Sequence, residues 1–301
     1  MGLSPEQLIR SSFKMASHIA PRSTGRAAFK LFCMPLRSAK LNPGEVRLAQ
    51  KLAPVLAKAE ARDVAFEGGC VRAYRWPQPA EAFQGRIMLV HGWTGRSLVM
   101  AAFVQPLLDL GFEVVTFDLP AHGDSQGRRL TLPMAARALQ AVVATFGALS
   151  GTITHSFGGP VALLAAEGGM PLTHGVAMPR IVLISSPATM ATATTMFGAR
   201  MGLTPQAQAA MEAEVLRLAG RPIEAFRGDD FLQKIGAQVL VIHDEDDADV
   251  AFSNAEVIAA QPNVQLMKTK GLGHRRIIIA PRVVQAASTF MADVSIGRAT
   301  A

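Results

Sequence analysis

At 301 residues, 50% of them apolar, the chain can form one large domain or two small ones and has ample material for a sizeable core. No apolar run approaches the ~18 residues of a membrane span, Met1–Ala20 is too polar for a secretory signal, and two cysteines, Cys33 and Cys70, are too few for a disulfide framework, so a cytoplasmic location is expected. The net charge of +7 suits an anionic partner, but the excess is spread along the chain and nothing resembles a nucleic-acid module.

Residues 1–62 are expected to form a helical N-terminal arm. Between Met1 and Gly44 there are seven Lys/Arg (Arg10, Lys14, Arg22, Arg26, Lys30, Arg37, Lys40) against one acid, Glu6. Leu8, Ile9, Phe13, Ala28, Phe29, Leu31 and Phe32 are interleaved with them, a mixture compatible with weak peripheral contact with an anionic membrane. Pro21 and Gly25 are expected to break the stretch into short pieces, which favours an arm packed on the main domain. Asn42-Pro43-Gly44 reads as a turn, followed by a helix over Glu45–Ala61 with a kink at Pro54.

From residue 63 the period becomes that of strands. Asp63–Phe66 and Cys70–Trp76, joined by Gly68-Gly69, predict a hairpin at a sheet edge. Ile87–Val90 is a continuous apolar run of the kind buried on both faces of a parallel sheet. Helices over Ser97–Leu110, Leu132–Leu149, Ser253–Ala260 and Ile277–Val294 then alternate with strands over Glu113–Phe117, Gly151–Thr154, Arg180–Ile184, Gln238–Ile242 and Val264–Lys268. That succession implies an α/β fold with a doubly wound, mostly parallel sheet, built from residues 63–187 and 235–301, with ligands at the carboxyl ends of the strands. Residues 188–234 interrupt the rhythm with helix-prone sequence carrying Met190, Met196, Met201 and Met211. A methionine stripe suits either plain core or the adaptable lining of an acyl pocket. The insertion is expected to be a small helical cap, because it leaves the sheet at the end carrying the reactive serine described next.

Thr154-His155-Ser156-Phe157-Gly158-Gly159-Pro160 reads as strand, tight turn and helix, with Ser156 at the turn. A hydroxyl held there can act as a nucleophile, since the helix start offers free N–H groups to a developing oxyanion. It needs a base, and that base needs a carboxylate. Among seven histidines, His274 follows the last strand on the glycine-rich loop Gly271-Leu272-Gly273. His155 is expected to be structural, because consecutive side chains at a tight turn diverge. His18 and His174 have no supporting context. For the acid, the loop His243-Asp244-Glu245-Asp246-Asp247-Ala248-Asp249 follows a buried strand, and by residue type Asp244, Asp246, Asp247 or Asp249 could serve, or the loop could be a solvated acidic turn. It fails the EF-hand pattern, with Ala248 at the fifth position and no glycine at the sixth, and no metal is expected.

The serine turn resembles the G-x-S-x-G nucleophile elbow of the α/β-hydrolases, with Thr154 in place of the first glycine. Their acid loop, H-G-x-x-D-x-x-V-P, lays onto His243–Ala251 and selects Asp247, with Asp244 for Gly and Ala251 for Pro as departures. His91-Gly92-Trp93-Thr94-Gly95 is similar to the family's H-G-x-x-G, which implies Trp93 N–H and Phe157 N–H as the oxyanion hole. Asp118-Leu119-Pro120-Ala121-His122-Gly123-Asp124-Ser125 resembles the scaffold loop D-x-P-G-H-G-x-S. The resemblance implies catalytic Ser156, Asp247 and His274 and a serine hydrolase of carboxylic esters, thioesters and lipid-like esters included, needing no cofactor. Ser156 argues against the dehalogenase and epoxide hydrolase branches, which place Asp at the elbow. The other readings are an acyltransferase or cofactor-free perhydrolase on the same triad, and a non-catalytic membrane-associated scaffold.

Overall fold

The computed structural model describes residues 4–35 and 43–293; Arg37, Lys40, Asn42 and Val294 lie outside them. Its centre is an eight-stranded sheet: β1 Glu60–Phe66, β2 Gly69–Trp76, β3 Arg86–Val90, β4 Glu113–Phe117, β5 Gly151–His155, β6 Arg180–Ile184, β7 Gln238–Asp244 and β8 Val264–Thr269. The strand order is β1-β2-β4-β3-β5-β6-β7-β8, with β1 and β2 antiparallel to their neighbours and all other pairs parallel. The aliphatic runs occupy the middle because both faces there are dry. Ile87 and Leu89 of β3 enter one core while Met88 and Val90 enter the other, and β6 divides likewise into Val182 and Ile184 against Ile181 and Leu183. At the start of β4, buried Glu113 accepts hydrogen bonds from Arg75 on β2 (2.7 Å from Nη2) and from Arg86 on β3, so this buried acid is neutralised twice.

One face is covered by α5 (Leu132–Phe146), α6 (Gly158–Glu167), α9 (Gly228–Lys234) and α10 (Ser253–Ala259); the other by α3 (Pro43–Leu56), α4 (Val104–Asp109) and α12 (Pro281–Ala292). Among the boundaries that differ from the sequence expectation, three have an identifiable cause. The helix expected to reach Ala61 stops at Leu56, because Glu60 and Ala61 pair with Arg75 and Tyr74 in the edge hairpin. Trp76 Nε1–H then donates to Val55 O at 2.8 Å in the last helical turn. Ser97–Leu110 divides into a 3-10 stretch, Ser97–Phe103, and α4. Starting the α-helix at Val104 puts Pro106 in its first turn, where the missing N–H has no helical partner to lose. The closing helix begins at Pro281 after a 3-10 turn over Ile277–Ile279, for the same reason.

The arm also departs from expectation. Pro21 opens α2 (Pro21–Phe32) directly after α1 (Pro5–Ile19), and α2 runs straight through Gly25. Both helices pack on the insertion rather than on the sheet: α1 on α7 (Met190–Met201), and α2 on α8 (Pro205–Ala219). Ala28, Phe29 and Cys33 form a small core with Met211, which is therefore a packing residue between two helices and no pocket lining. Met190 and Met201 are also buried, and Met196 is exposed. Gly25 faces the α8 backbone so closely that a Cβ would meet Ala207 O, Ala210 Cβ at 2.7 Å and Met211 N at 2.8 Å. Gly25→Val is therefore expected to lever α2 away from α8 and cost about 2 kcal/mol by overpacking, read as a lowered urea midpoint; an unchanged midpoint would mean that α2 does not seat there.

Candidate active site

The carboxyl ends of the central strands carry the candidate chemistry. Four non-glycine residues have left-handed backbone among the described residues: Thr94 (φ 58°), Ala121 (φ 65°), Ser156 (φ 52°) and Ser185 (φ 49°). Each lies in the loop following β3, β4, β5 or β6, so strain of about 1–3 kcal/mol per residue is concentrated at one end of the sheet. Ser156 stands between β5 and α6, half-buried, with its N–H donated to Ile184 O at 2.9 Å. Thr154, which replaces the elbow's first glycine, is fully buried and its hydroxyl donates to Val182 O at 3.0 Å, so the substitution leaves no unpaired polar atom.

The structure brings together three of the side chains singled out from sequence. His274, in the short helix α11 (Gly273–Arg276) after β8, has Nε2 3.0 Å from Ser156 Oγ and Nδ1 2.9 Å from Asp247 Oδ2. The other oxygen of Asp247 accepts from the N–H groups of Asp249 (2.9 Å) and Val250 (2.8 Å). Burial alone would raise its pKa, but the His274 and Val250 hydrogen bonds outweigh that and hold the carboxyl below the usual range. A hydroxyl, an imidazole and an ionised carboxylate in line can move one proton off oxygen.

The neighbouring acids have other work. Asp244, buried, accepts from Thr269 Oγ1 (2.7 Å), Leu272 N–H (3.0 Å) and Asp246 N–H (3.1 Å), fixing the loop that carries His274. Asp246 accepts from Gly271 N–H at 3.1 Å, and the Asp249 backbone serves Asp247. Among the described residues no three His, Cys, Asp or Glu side chains are grouped to hold a metal ion.

The loop over residues 91–95 passes beside the serine: a Cβ on Gly92 would lie 2.8 Å from Ser156 Cβ. His91 accepts the Leu119 N–H at Nε2 (3.0 Å), and His122 accepts the Thr94 N–H at Nε2 (3.0 Å) while donating from Nδ1 to Pro120 O (3.0 Å). Two neutral imidazoles thus brace the peptides around Trp93. Asp118, buried, accepts from Ser97 N–H (2.7 Å) and Asp124 N–H (2.8 Å), so the 118–125 loop is scaffold. Among the described residues, neither Trp93 N–H nor Phe157 N–H donates to a protein acceptor.

These four loops fall within residues 87–287, the span over which the chain matches the sequence profile of the Alpha/beta hydrolase family. The chain belongs to that family. No curated protein matches this α/β-hydrolase in sequence. Solved structures of similar fold include a Pyrococcus furiosus esterase (TM-score 0.58, 18% identity, covering 86% of this chain and 98% of that one) and Est1E of Butyrivibrio proteoclasticus with ferulic acid bound (0.55, 19%, 79% and 98%). A bacterial membrane phospholipase A, described as a virulence factor, is also similar (0.59, 18%, 82% and 91%).

Two residues of this hydrolase carry more than the sequence indicated. His155, expected to be structural, points its ring toward the histidine loop: Nε2 lies 2.8 Å from His274 O, so the proton sits on Nε2 and the ring holds the His274 backbone in place. Burial, and then the charge of His274, push its pKa down to about 4, which keeps it neutral and a donor. The second is Phe32, the last residue of α2. Its ring stacks on Trp93 (6.4 Å between centroids, 18°) and meets Phe197 of the insertion edge-on (5.3 Å), while Trp93 packs edge-on against Phe157 (5.5 Å). Nothing in the spacing of Phe32 and Trp93 along the chain connects them; the contact exists only because the arm folds back over the insertion.

Proposed function

We propose that this α/β-hydrolase cleaves carboxylic esters through an acyl-enzyme on Ser156. The carrying observation is the pair of distances that joins Ser156, His274 and Asp247, 3.0 and 2.9 Å, from three loops far apart in sequence. As Ser156 Oγ attacks the carbonyl carbon, His274 Nε2 takes its proton, and Asp247 holds the Nδ1–H and stabilises the imidazolium. The oxyanion is met by the N–H groups of Trp93 and Phe157. Collapse of the tetrahedral intermediate breaks the ester C–O bond, and His274 gives its proton to the leaving alcohol. Water, deprotonated by the same nitrogen, then attacks the acyl carbon and releases the acid and Ser156.

The row Phe197, Phe32, Trp93 and Phe157 supports an apolar acyl group, with arm and insertion acting together as the cap. The Pyrococcus furiosus esterase and the phospholipase of similar fold favour the same substrate class. Treatment with a fluorophosphonate is expected to leave a single adduct on Ser156, lost in Ser156→Ala, and p-nitrophenyl esters of graded chain length should be hydrolysed. A folded protein that forms no adduct and turns over none of these esters would overturn the proposal.

A further inference from the structure

The inward side of α1 is fully engaged. Phe13 packs into the core shared with the insertion, and buried Ser17 is tied to residue 204 twice: Thr204 N–H donates to Ser17 Oγ at 3.3 Å and Thr204 Oγ1 donates to Ser17 O at 3.1 Å. This fixes the rotation of the helix and therefore what it turns outward. On the outer side Leu8, Met15 and Ile19 fall at i, i+7 and i+11, one stripe along the axis, and are 51%, 64% and 78% exposed. Arg10, Lys14 and His18 form a second, exposed stripe at i, i+4 and i+8, about 120° round the helix from the first, with the stem of Lys14 lying along Gly202 of the insertion. The next helix continues the cationic pattern with Arg22, Arg26 and Lys30 at the same spacing, Arg26 also pairing with Glu214 at 3.2 Å. No helix among the described residues is long and apolar enough to cross a membrane.

We infer that α1 docks in the plane of an anionic phospholipid bilayer, its Leu8–Met15–Ile19 stripe entering the acyl boundary and its basic stripe resting on the headgroups. Four large apolar side chains, Leu8, Ile9, Met15 and Ile19, are exposed on a helix from which, over Gln7–Ile19, only Phe13, Ala16 and Ser17 turn inward, and three of them form a line along the axis rather than the broad patch of a protein interface. That line has no aromatic anchor, and the polar side of the same helix carries cations and no exposed acid among Gln7–Ile19, whereas the core of a protein interface is depleted in charge of either sign. An amphipathic helix with an apolar line on one side and Arg and Lys on its polar side is an arrangement an anionic lipid surface accepts, since each cation close to that surface adds to the binding. The Met1–Gly44 excess of seven basic residues over one acid has the complementary sign. Because α1 and α2 rest on α7 and α8, docking would hold the insertion, and with it the Phe32–Phe197 contact, near the lipid.

The experiment is co-sedimentation of the full chain with vesicles of phosphatidylcholine alone and of phosphatidylcholine and phosphatidylglycerol in equal parts; it reads no catalysis, so it is independent of the esterase proposal. Wild type is expected to sediment with the anionic vesicles, less so as salt is raised. Arg10→Glu/Lys14→Glu is expected to lower the partition coefficient by about tenfold or more, and Leu8→Ser/Met15→Ser/Ile19→Ser by a comparable factor. All five positions are exposed, so the variants should keep the parent's circular dichroism and fluorophosphonate labelling. Wild type that leaves both vesicle types unbound, or variants that bind like wild type, would overturn the inference. So would size-exclusion chromatography in which the apolar variant converts a dimer to a monomer, because the stripe would then be covered by a second copy of the chain.

Discussion

Asp247→Asn is expected to lower kcat/KM on an ester by about ten-thousand-fold while leaving the fold intact. The asparagine carbonyl can still accept from the Asp249 and Val250 N–H groups, so its amide nitrogen is turned toward His274 Nδ1. That nitrogen can only donate, which forces the imidazole proton onto Nε2, where it faces Ser156 Oγ and the ring can no longer act as base. The neighbouring acids should behave differently. Asp246→Asn keeps an oxygen for Gly271 N–H, and Asp249→Asn changes a side chain whose backbone N–H is what serves Asp247. Both should stay within about tenfold of the parent, since neither side chain touches the proton path. Asp244→Asn would place an NH2 where Asp244 now accepts from Thr269 and Leu272. Activity should fall there in step with the thermal midpoint, whereas at Asp247→Asn the loss of activity should far exceed the modest fall in midpoint that follows from losing its stabilising carboxylate. Equal losses at 246, 247 and 249, measured on folded protein, would mean that the acid is misassigned.

The sheet was legible because its signal is local. Runs such as Ile87–Val90 and Arg180–Ile184 are buried on both faces, and in the structure they become β3 and β6 with at most one residue added. Motif loops at strand ends were legible for a related reason: a left-handed Ser156 and the neighbouring Gly92 are demanded by backbone geometry, and such demands restrict residue type at fixed spacing. What depends on tertiary partners was not legible. Gly25 looks like a helix breaker until the backbone of α8 lies against it, since a glycine's cost in a helix interior is outweighed when only a missing Cβ allows two helices to touch. The strand pairing that ends α3 at Leu56 is likewise supplied by Arg75 and Tyr74, well downstream. His155 illustrates the limit within the site. Its adjacency to Ser156 suggested only divergence, and its role comes from a carbonyl at residue 274.

Lowering the pH from 6.5 to 4.5 is expected to remove about 5 kcal/mol of stability, through histidines rather than carboxylates. His91 and His155 are buried and neutral. Burial pushes His91 down to about 3, and burial, followed by the charge His274 carries when protonated, pushes His155 down to about 4. In the unfolded chain both titrate near 6.5. Below that pH the unfolded state takes up two protons that the folded state refuses, and each refusal costs about 1.4 kcal/mol per pH unit. The cost stops growing only when the folded-state values are reached, near pH 4 and pH 3. His243, lowered chiefly by burial, acts in the same direction. Asp118 opposes them: burial raises its carboxyl, so the folded state gains a proton there that the unfolded chain has not yet bound. The depressed carboxyls of Asp247 and Asp244 contribute stability at neutral pH that is lost only as the pH falls below about 4. A domain with about 5–15 kcal/mol in hand should therefore show a urea midpoint falling steeply between pH 6.5 and 4.5. His155→Gln retains a donor for His274 O but has nothing to titrate, so it should flatten that slope. A midpoint constant from pH 7 to 4.5 would show that these imidazoles reach water and that the bracing of the Trp93 and His274 loops is not the dry network described.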